Sequence, residues 1–307
     1  MTRPRRHLKD QVVMLTRRCF ERRFFLRPDT TINAIAAYEF ARAGQRHGVA
    51  IHAVMVMSNH PHLIVTDARG RRSDFMRDAL SGIARARNAD LGRRSYFWDD
   101  RPYCDTVLLE RQAQERKLLY TWLNPVRAGL VERAEDWPGF KILPRDWGKP
   151  VKVPRPGAFY GRRSPEFIEF TPQPPPGYED MSLSEVRAHF EGLLKEAEDE
   201  IRAERRRCKK RLVGVKRVLA VRPTSHPSTP APMGQMSPRF ASQDPAILSA
   251  AIARERAFFN AYARERERWL KGKKGVVFPC GTVWLRRNAP VKCRAPDTHE
   301  AGLAATM

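Results

Sequence analysis

Residues 49–66 read VAIHAVMVMSNHPHLIVT. Two short apolar runs, Val49–Met57 and His62–Thr66, flank a polar break at Ser58, Asn59 and Pro61. Runs of this length and composition read as buried strands, and the break carries turn chemistry, so the stretch reads as a hairpin. Upstream, DQVVMLTRRC at 10–19 reads as an earlier strand running into a basic stretch. Asp29 or Thr30 can cap a helix over about 31–45, with Ile32, Ile35, Ala36 and Phe40 on one face. Downstream, 73–91 reads as a second helix with Phe75, Met76, Leu80 and Ile83 inward. Tyr96, Phe97 and Trp98 then suggest a further strand, and 107–123 a third helix stopped at Pro125. The order strand, helix, strand, strand, helix, strand, helix predicts an α+β domain. It is expected to be a ferredoxin-like antiparallel sheet with helices on one face.

That domain is expected to fill 1–148, and the texture changes after it. A Pro-rich linker is expected at 149–181, where Pro172, Pro174, Pro175 and Pro176 cluster. Ser182 with Glu185 forms a capping box that opens an amphipathic basic helix over 182–211. Leu183, Val186, Phe190, Leu194, Ala197 and Ile201 recur by threes and fours along it, so it needs a packing partner. A disordered linker rich in Pro, Ser and Thr is expected at 212–245. A C-terminal helix and a short hairpin at 275–286 fill 246–293, and 294–307 is a tail.

The 307 residues carry 57 Lys and Arg against 34 Asp and Glu, a formal net charge of +23. A chain this basic attracts polyanions, and nucleic acid leads that class, ahead of a membrane surface. Thirteen of the 57 are Lys and 44 are Arg, whose planar fork suits phosphate oxygens and base stacking. No apolar run reaches membrane-spanning length, so no membrane partner is expected. Five scattered cysteines without a CxxC pair fit reduced thiols in a cytoplasm and argue against a zinc finger or disulfide scaffold.

Two constellations carry chemistry. His60 and His62 lie two apart at a strand junction, so both imidazoles can face one ion. Such a pair suits a divalent metal, Mg²⁺ or Mn²⁺, if oxygen ligands complete the shell. Taken alone, such a pair is a weak signal and more often marks two surface histidines at a turn. Tyr120 and Asn124 lie four apart and share a helix face. A tyrosine hydroxyl can attack phosphorus when an ion withdraws charge from the phosphate. The blander and commoner reading is a packed tyrosine and a C-capping Asn before Pro125. Arg17, Arg18, Arg22 and Arg23, interleaved with Phe20, Phe24 and Phe25, offer phosphate contacts beside stacking platforms, unless the Phe side chains are core. Asp99, Asp100 and Asp105 receive no role, and His47 and His52 read as structural.

The stretch VMVMSNHPHLIV at 54–65 resembles the His-hydrophobic-His signature of HUH-class single-tyrosine transposases. The stretch YTWLNPVRAGLV at 120–131 resembles the tyrosine segment of the same family, in the same order. VVMLTRRCFERRFF at 12–25 looks like its first strand and basic loop, and FWDDRPYCDTVL at 97–108 like the segment before its tyrosine helix. The resemblance is greatest to REP-associated tyrosine transposases and covers about 8–145. It implies His60, His62 and Asn124 as metal ligands and Tyr120 as a nucleophile that forms a 5′-phosphotyrosine link. It implies Asn59 as a support for the metal pair, and Arg17, Arg18, Arg22, Arg23 and Arg127 as DNA contacts. The sequence departs from the pattern at Pro61, where the family has a hydrophobic residue; a proline there should sit at an edge or bulge.

The function implied is a metal-dependent transposase that cleaves and rejoins hairpin-bearing single-stranded DNA, acting as a homodimer or a monomer in a bacterial cytoplasm, at the nucleoid. The alternative is a catalytically idle DNA- or RNA-binding protein that retains the fold.

Overall fold

The structure is a computed structural model; it describes residues 4–157, 159–161, 163–229 and 238–295. Its centre is four strands, β1 (Gln11–Thr16), β2 (Val49–Met57), β3 (His60–Asp67) and β4 (Cys104–Leu108). They lie in the order β4-β1-β3-β2, each antiparallel to its neighbours. Helix α1 (Thr30–His47) connects β1 to β2, and α2 (Arg72–Asp90) connects β3 to β4. This is the expected ferredoxin-like, α+β arrangement. Asp29 caps α1 by accepting from the Ile32 N–H at 2.9 Å.

Alternation along the strands divides the core. Val13, Leu15, Val54, Val56, Leu63 and Val65 pack with α1 and α2. Val12, Met14, Ala53, Met55, Met57 and Ile64 pack on the opposite side with α3 (Arg111–Arg127), through Leu118, Trp122, Leu123 and Val126. Helices therefore cover both faces, not one. The physical reason lies in β2 itself, which is apolar at nearly every position and buried on both sides, so each face needs cover.

The fourth strand is 104–108, not the aromatic segment 96–98. Trp98 makes only a single bridge to Cys19, and Tyr96 is exposed. Val107 and Leu108, expected in the third helix, belong to this strand. Pro125 does not stop α3. It sits two residues before the helix end, and the chain closes through Ala128 N–H to the Asn124 carbonyl and Leu130 N–H to the Pro125 carbonyl, both at 3.0 Å. A missing N–H this late costs one helical bond.

The rest of the chain wraps this core. β5 (Lys141–Ile142) adds beside β2. Trp122, Trp137 and Trp147 are fully buried, and their indole N–H groups donate to the carbonyls of Ile142, Val56 and His52 at 2.8, 2.8 and 2.7 Å. The stretch expected as a linker forms an antiparallel ribbon, β6 (Val151–Pro154) with β7 (Phe167–Phe170). Val153 and Ile168 of the ribbon bury against Tyr38 of α1. Helix α4 (Leu183–Arg207) opens on the expected capping box, Ser182 N–H to Glu185 at 2.7 Å and Glu185 N–H to Ser182 at 3.3 Å. Its packing partner is α3 of its own chain: Phe190 meets Trp122 and Trp147 with ring centroids 5.9 and 5.2 Å apart.

The expected disordered stretch carries α5 (Val215–Ala220) and β8 (Phe240–Ala241), which pairs parallel to β4 at the sheet edge. Residues 230–237 of that stretch lie outside the described residues. α6 (Pro245–Leu270) is the expected last long helix. The expected hairpin after it does not form. β9 (Val277–Phe278) pairs parallel with β10 (Lys292–Cys293), and α7 (Val283–Asn288) supplies the crossover that a parallel pair requires. Most of the expected tail, 296–307, lies outside the described residues. No disulfide joins the five cysteines, and among the described residues no helix is long and apolar enough to cross a membrane.

Candidate active site

The β2–β3 hairpin turns in two residues, Ser58 and Asn59, so that Met57 pairs with His60 and Met55 with His62. The two histidines therefore share the face that α3 covers. Their ring centroids lie 4.6 Å apart with planes at 80°. Tyr120, carried by α3 across that face, places its ring 5.5 Å from that of His62 with planes at 90°. The three rings meet within one chain. His62 is buried at 4% exposure, whereas Tyr120 is 36% exposed, so the site is reached from the tyrosine side.

Pro61 is accommodated by the end of β1. It lies opposite Val56, past the last β1–β3 pair, Thr16 with His62. The His60 pair bonds towards β2, so the missing N–H of Pro61 faces the side where β1 has ended and costs no ladder bond. The bulge of the hairpin falls elsewhere, between Ile51 and Ala53. His52 occupies it, its Nδ1 2.8 Å from the Gln173 carbonyl and its Nε2 2.7 Å from the Thr66 hydroxyl.

Asn59 holds the pair from behind. Its Oδ1 lies 2.6 Å from Nδ1 of His60, and its Nδ2 donates to the Arg22 carbonyl at 3.1 Å. An amide oxygen only accepts, so His60 carries its proton on Nδ1 and keeps a lone pair on Nε2. Both ring nitrogens of His62 are buried without a hydrogen-bond partner. Burial, then the Arg18 charge, lowers the His60 pKa to about 4. Burial, then His60 and Lys117, pushes His62 well below its ordinary value. Both imidazoles are thus neutral near pH 7, the form that ligates. The Nδ2 of Asn124 donates to the Tyr120 carbonyl at 2.9 Å, which leaves its Oδ1 as the atom available for a ligand. Among the described residues, no group of three or more His, Cys, Asp and Glu could hold an ion.

The basic loop after β1 lies beside this pair. Arg17 donates to the Asp99 carbonyl at 2.6 Å, and Arg18 is close enough to His60 to depress it. Two other expected DNA contacts are engaged by the segment after α5. Arg22 donates to the Thr229 carbonyl at 2.5 Å and Arg23 to the Thr224 carbonyl at 2.6 Å, while the Phe24 N–H donates to the Ser225 carbonyl at 2.9 Å. Arg127 is exposed at the far end of α3. Phe25 is fully buried beneath Arg93 and is core, not a stacking platform; Phe20 and Phe24 are half-buried. Asp105 pairs with Leu15 on the face that α1 and α2 cover, away from the histidines, and both it and Asp99 are ion-paired. Asp105 is buried among Arg5, Arg72 and Arg239, and Asp99 pairs with Arg101.

One residue of the site escaped the sequence reading. Lys117 lies three before Tyr120 on α3, and its ammonium stands 5.2 Å from the tyrosine ring centroid. The i, i+3 spacing is the signal that could have found it.

No protein-family model matches the chain, and no curated protein matches it. Among solved structures, the chain is similar to one described as a REP-associated tyrosine transposase bound to a REP hairpin. The identity is 22%, the alignment covers 48% of this chain and 85% of that one, and the TM-score is 0.40.

Proposed function

We propose that the protein is a single-stranded DNA strand transferase of the HUH type, in which Tyr120 attacks a backbone phosphate beside the His60/His62 pair. The observation that carries this reading is the ring of Tyr120 set edge-to-face on His62, whose two ring nitrogens are buried and unpartnered. Buried polar atoms in a folded protein nearly always have a partner, and a pair of orphaned nitrogens beside a second neutral imidazole is the donor set of a metal site.

The residues present fit a divalent ion. His60 Nε2 and His62 would hold it, with Asn124 Oδ1, phosphate oxygens or water completing the shell. A bound Mg²⁺ or Mn²⁺ supplies Lewis acidity to the phosphate. The chain's own residues do the rest. α3 aims Tyr120 from the solvent side, Asn59 fixes the tautomer of His60, and the basic loop binds the strand on either side of the scissile bond. The Tyr120 oxygen bonds to phosphorus, and the bond from phosphorus to the 3′-oxygen breaks. The link conserves the phosphodiester energy, so another 3′-hydroxyl can reverse the step and rejoin DNA.

The motif resemblance extends this to DNA bearing hairpins. The test is a hairpin-bearing single-stranded DNA with a 3′ label, incubated with the protein and Mn²⁺ and run on a denaturing gel. Wild type should yield a labelled covalent adduct and Tyr120→Phe none. A wild type that binds the DNA and gives no adduct would instead support the idle binding protein.

A further inference from the structure

Lys117 and Tyr120 share one face of α3, one turn apart. The ammonium stands 5.2 Å from the phenol ring centroid, and its charge is felt at His62, which it helps to hold neutral. Beneath it runs a row of pairs across the sheet, His62 with Thr16 and Thr16 with Cys104, all facing α3. Cys104 also interacts electrostatically with Lys117. Lys117 therefore lies beside the tyrosine and within electrostatic reach of His62.

Many guanidinium groups near the site are tied down, Arg17 and Arg23 among them. Among the described residues no carboxylate pairs with Lys117, although it is half-buried. A partly desolvated ammonium without a counter-charge is costly, and burial accordingly lowers its pKa. An anion placed between Lys117, Tyr120 and the two histidines would relieve that cost.

We propose that Lys117 is a further catalytic residue, whose ammonium binds a non-bridging oxygen of the phosphate that Tyr120 attacks. The inference rests on the function proposed above. Lys117 remains protonated throughout. The phenol proton passes to water, the phosphorus–3′-oxygen bond breaks, and the departing 3′-oxygen takes a proton from water. The ammonium neutralises charge that builds on the equatorial oxygens as the tyrosine bond forms.

The test compares wild type, Lys117→Met, Lys117→Arg and Tyr120→Phe. The probe is a 3′-labelled single-stranded hairpin DNA with randomised flanks, in Mn²⁺. Adduct formation is timed, and Mn²⁺ affinity is measured separately by electron paramagnetic resonance. Lys117→Met should slow adduct formation roughly 100-fold, the loss typical of one preorganised electrostatic contact, with Mn²⁺ affinity unchanged. Lys117→Arg, which keeps the charge, should stay within about tenfold of wild type. An adduct rate for Lys117→Met close to wild type overturns the proposal. So does loss of Mn²⁺ affinity together with the adduct, which would make the lysine structural. If wild type binds Mn²⁺ and DNA but forms no adduct, the strand-transfer reading fails, and the lysine's role fails with it.

Discussion

The ring of Tyr120 stands perpendicular to that of His62, 5.5 Å between centroids, and the two residues, 58 positions apart, meet because α3 crosses the sheet. Neither ring nitrogen of His62 has a hydrogen-bond partner, although both are buried. Mn²⁺ affinity should therefore fall at least about tenfold in His60→Ala or His62→Ala, since each removes one of two nitrogen donors. Tyr120→Phe should leave it unchanged. Electron paramagnetic resonance of free Mn²⁺ reads all three, and equal affinity in His62→Ala would dismiss the pair as a metal site.

Asn59 acts on the metal pair through His60. Without its Oδ1, no other group among the described residues fixes the imidazole proton on Nδ1. Asn59→Ala should weaken Mn²⁺ binding about 10–100-fold, the usual cost of removing such a partner. Asn59→Asp restores the acceptor and should bind at least as tightly as wild type. If both variants bind like wild type, the hydrogen bond does not set the tautomer.

The basic loop is not uniform. Arg22 donates to the Thr229 carbonyl and Arg23 to the Thr224 carbonyl, whereas Arg18 lies close enough to His60 to lower its pKa. For single-stranded DNA, each phosphate contact adds about 0.7 to the slope of log affinity against log salt. Arg18→Gln should lower that slope by about this amount, and Arg22→Gln by less. Fluorescence anisotropy at several salt concentrations measures it, and a larger loss at Arg22 would show that DNA displaces the segment after α5.

The hairpin at 49–66 was legible because its apolar runs and turn residues are local signals, and the α+β class followed from the order of elements around it. The cover on the second face was not legible. Trp122, Trp147 and Phe190 come together from three separate segments, and periodicity in any one of them shows a face without naming its partner. Val107 and Leu108 read as helix because the short apolar run at 107–109 fits either period; the pairing of Val107 with Val13 decides it. The proline-rich segments read as linkers by composition, yet Ile168 and Phe240 each find a partner, on α1 and at the β4 edge. At the site, the residue types and the shared face of His60 and His62 were visible from spacing alone. Lys117 was not, because its relevance depends on how α3 lies over β3.

His52 makes stability depend on pH. Its ring is buried in the β2 bulge, donates from Nδ1 to the Gln173 carbonyl and accepts on Nε2 from Thr66, so the site is built for the neutral form. Burial lowers its pKa from 6.5 to about 4. The unfolded chain takes up a proton as pH falls through 6.5, and the folded chain does not until about 4. The contribution is therefore complete above the unfolded value and is lost as pH falls across that window. At about 1.4 kcal/mol per unit, the full window amounts to roughly 3 kcal/mol. Urea unfolding of the metal-free protein at pH 7.5, 6 and 5 should show wild type losing stability faster than His52→Gln, which carries no titrating ring. The buried His7 titrates in both proteins and cancels in the comparison. Parallel curves for the two proteins would mean that His52 gains its proton without unfolding.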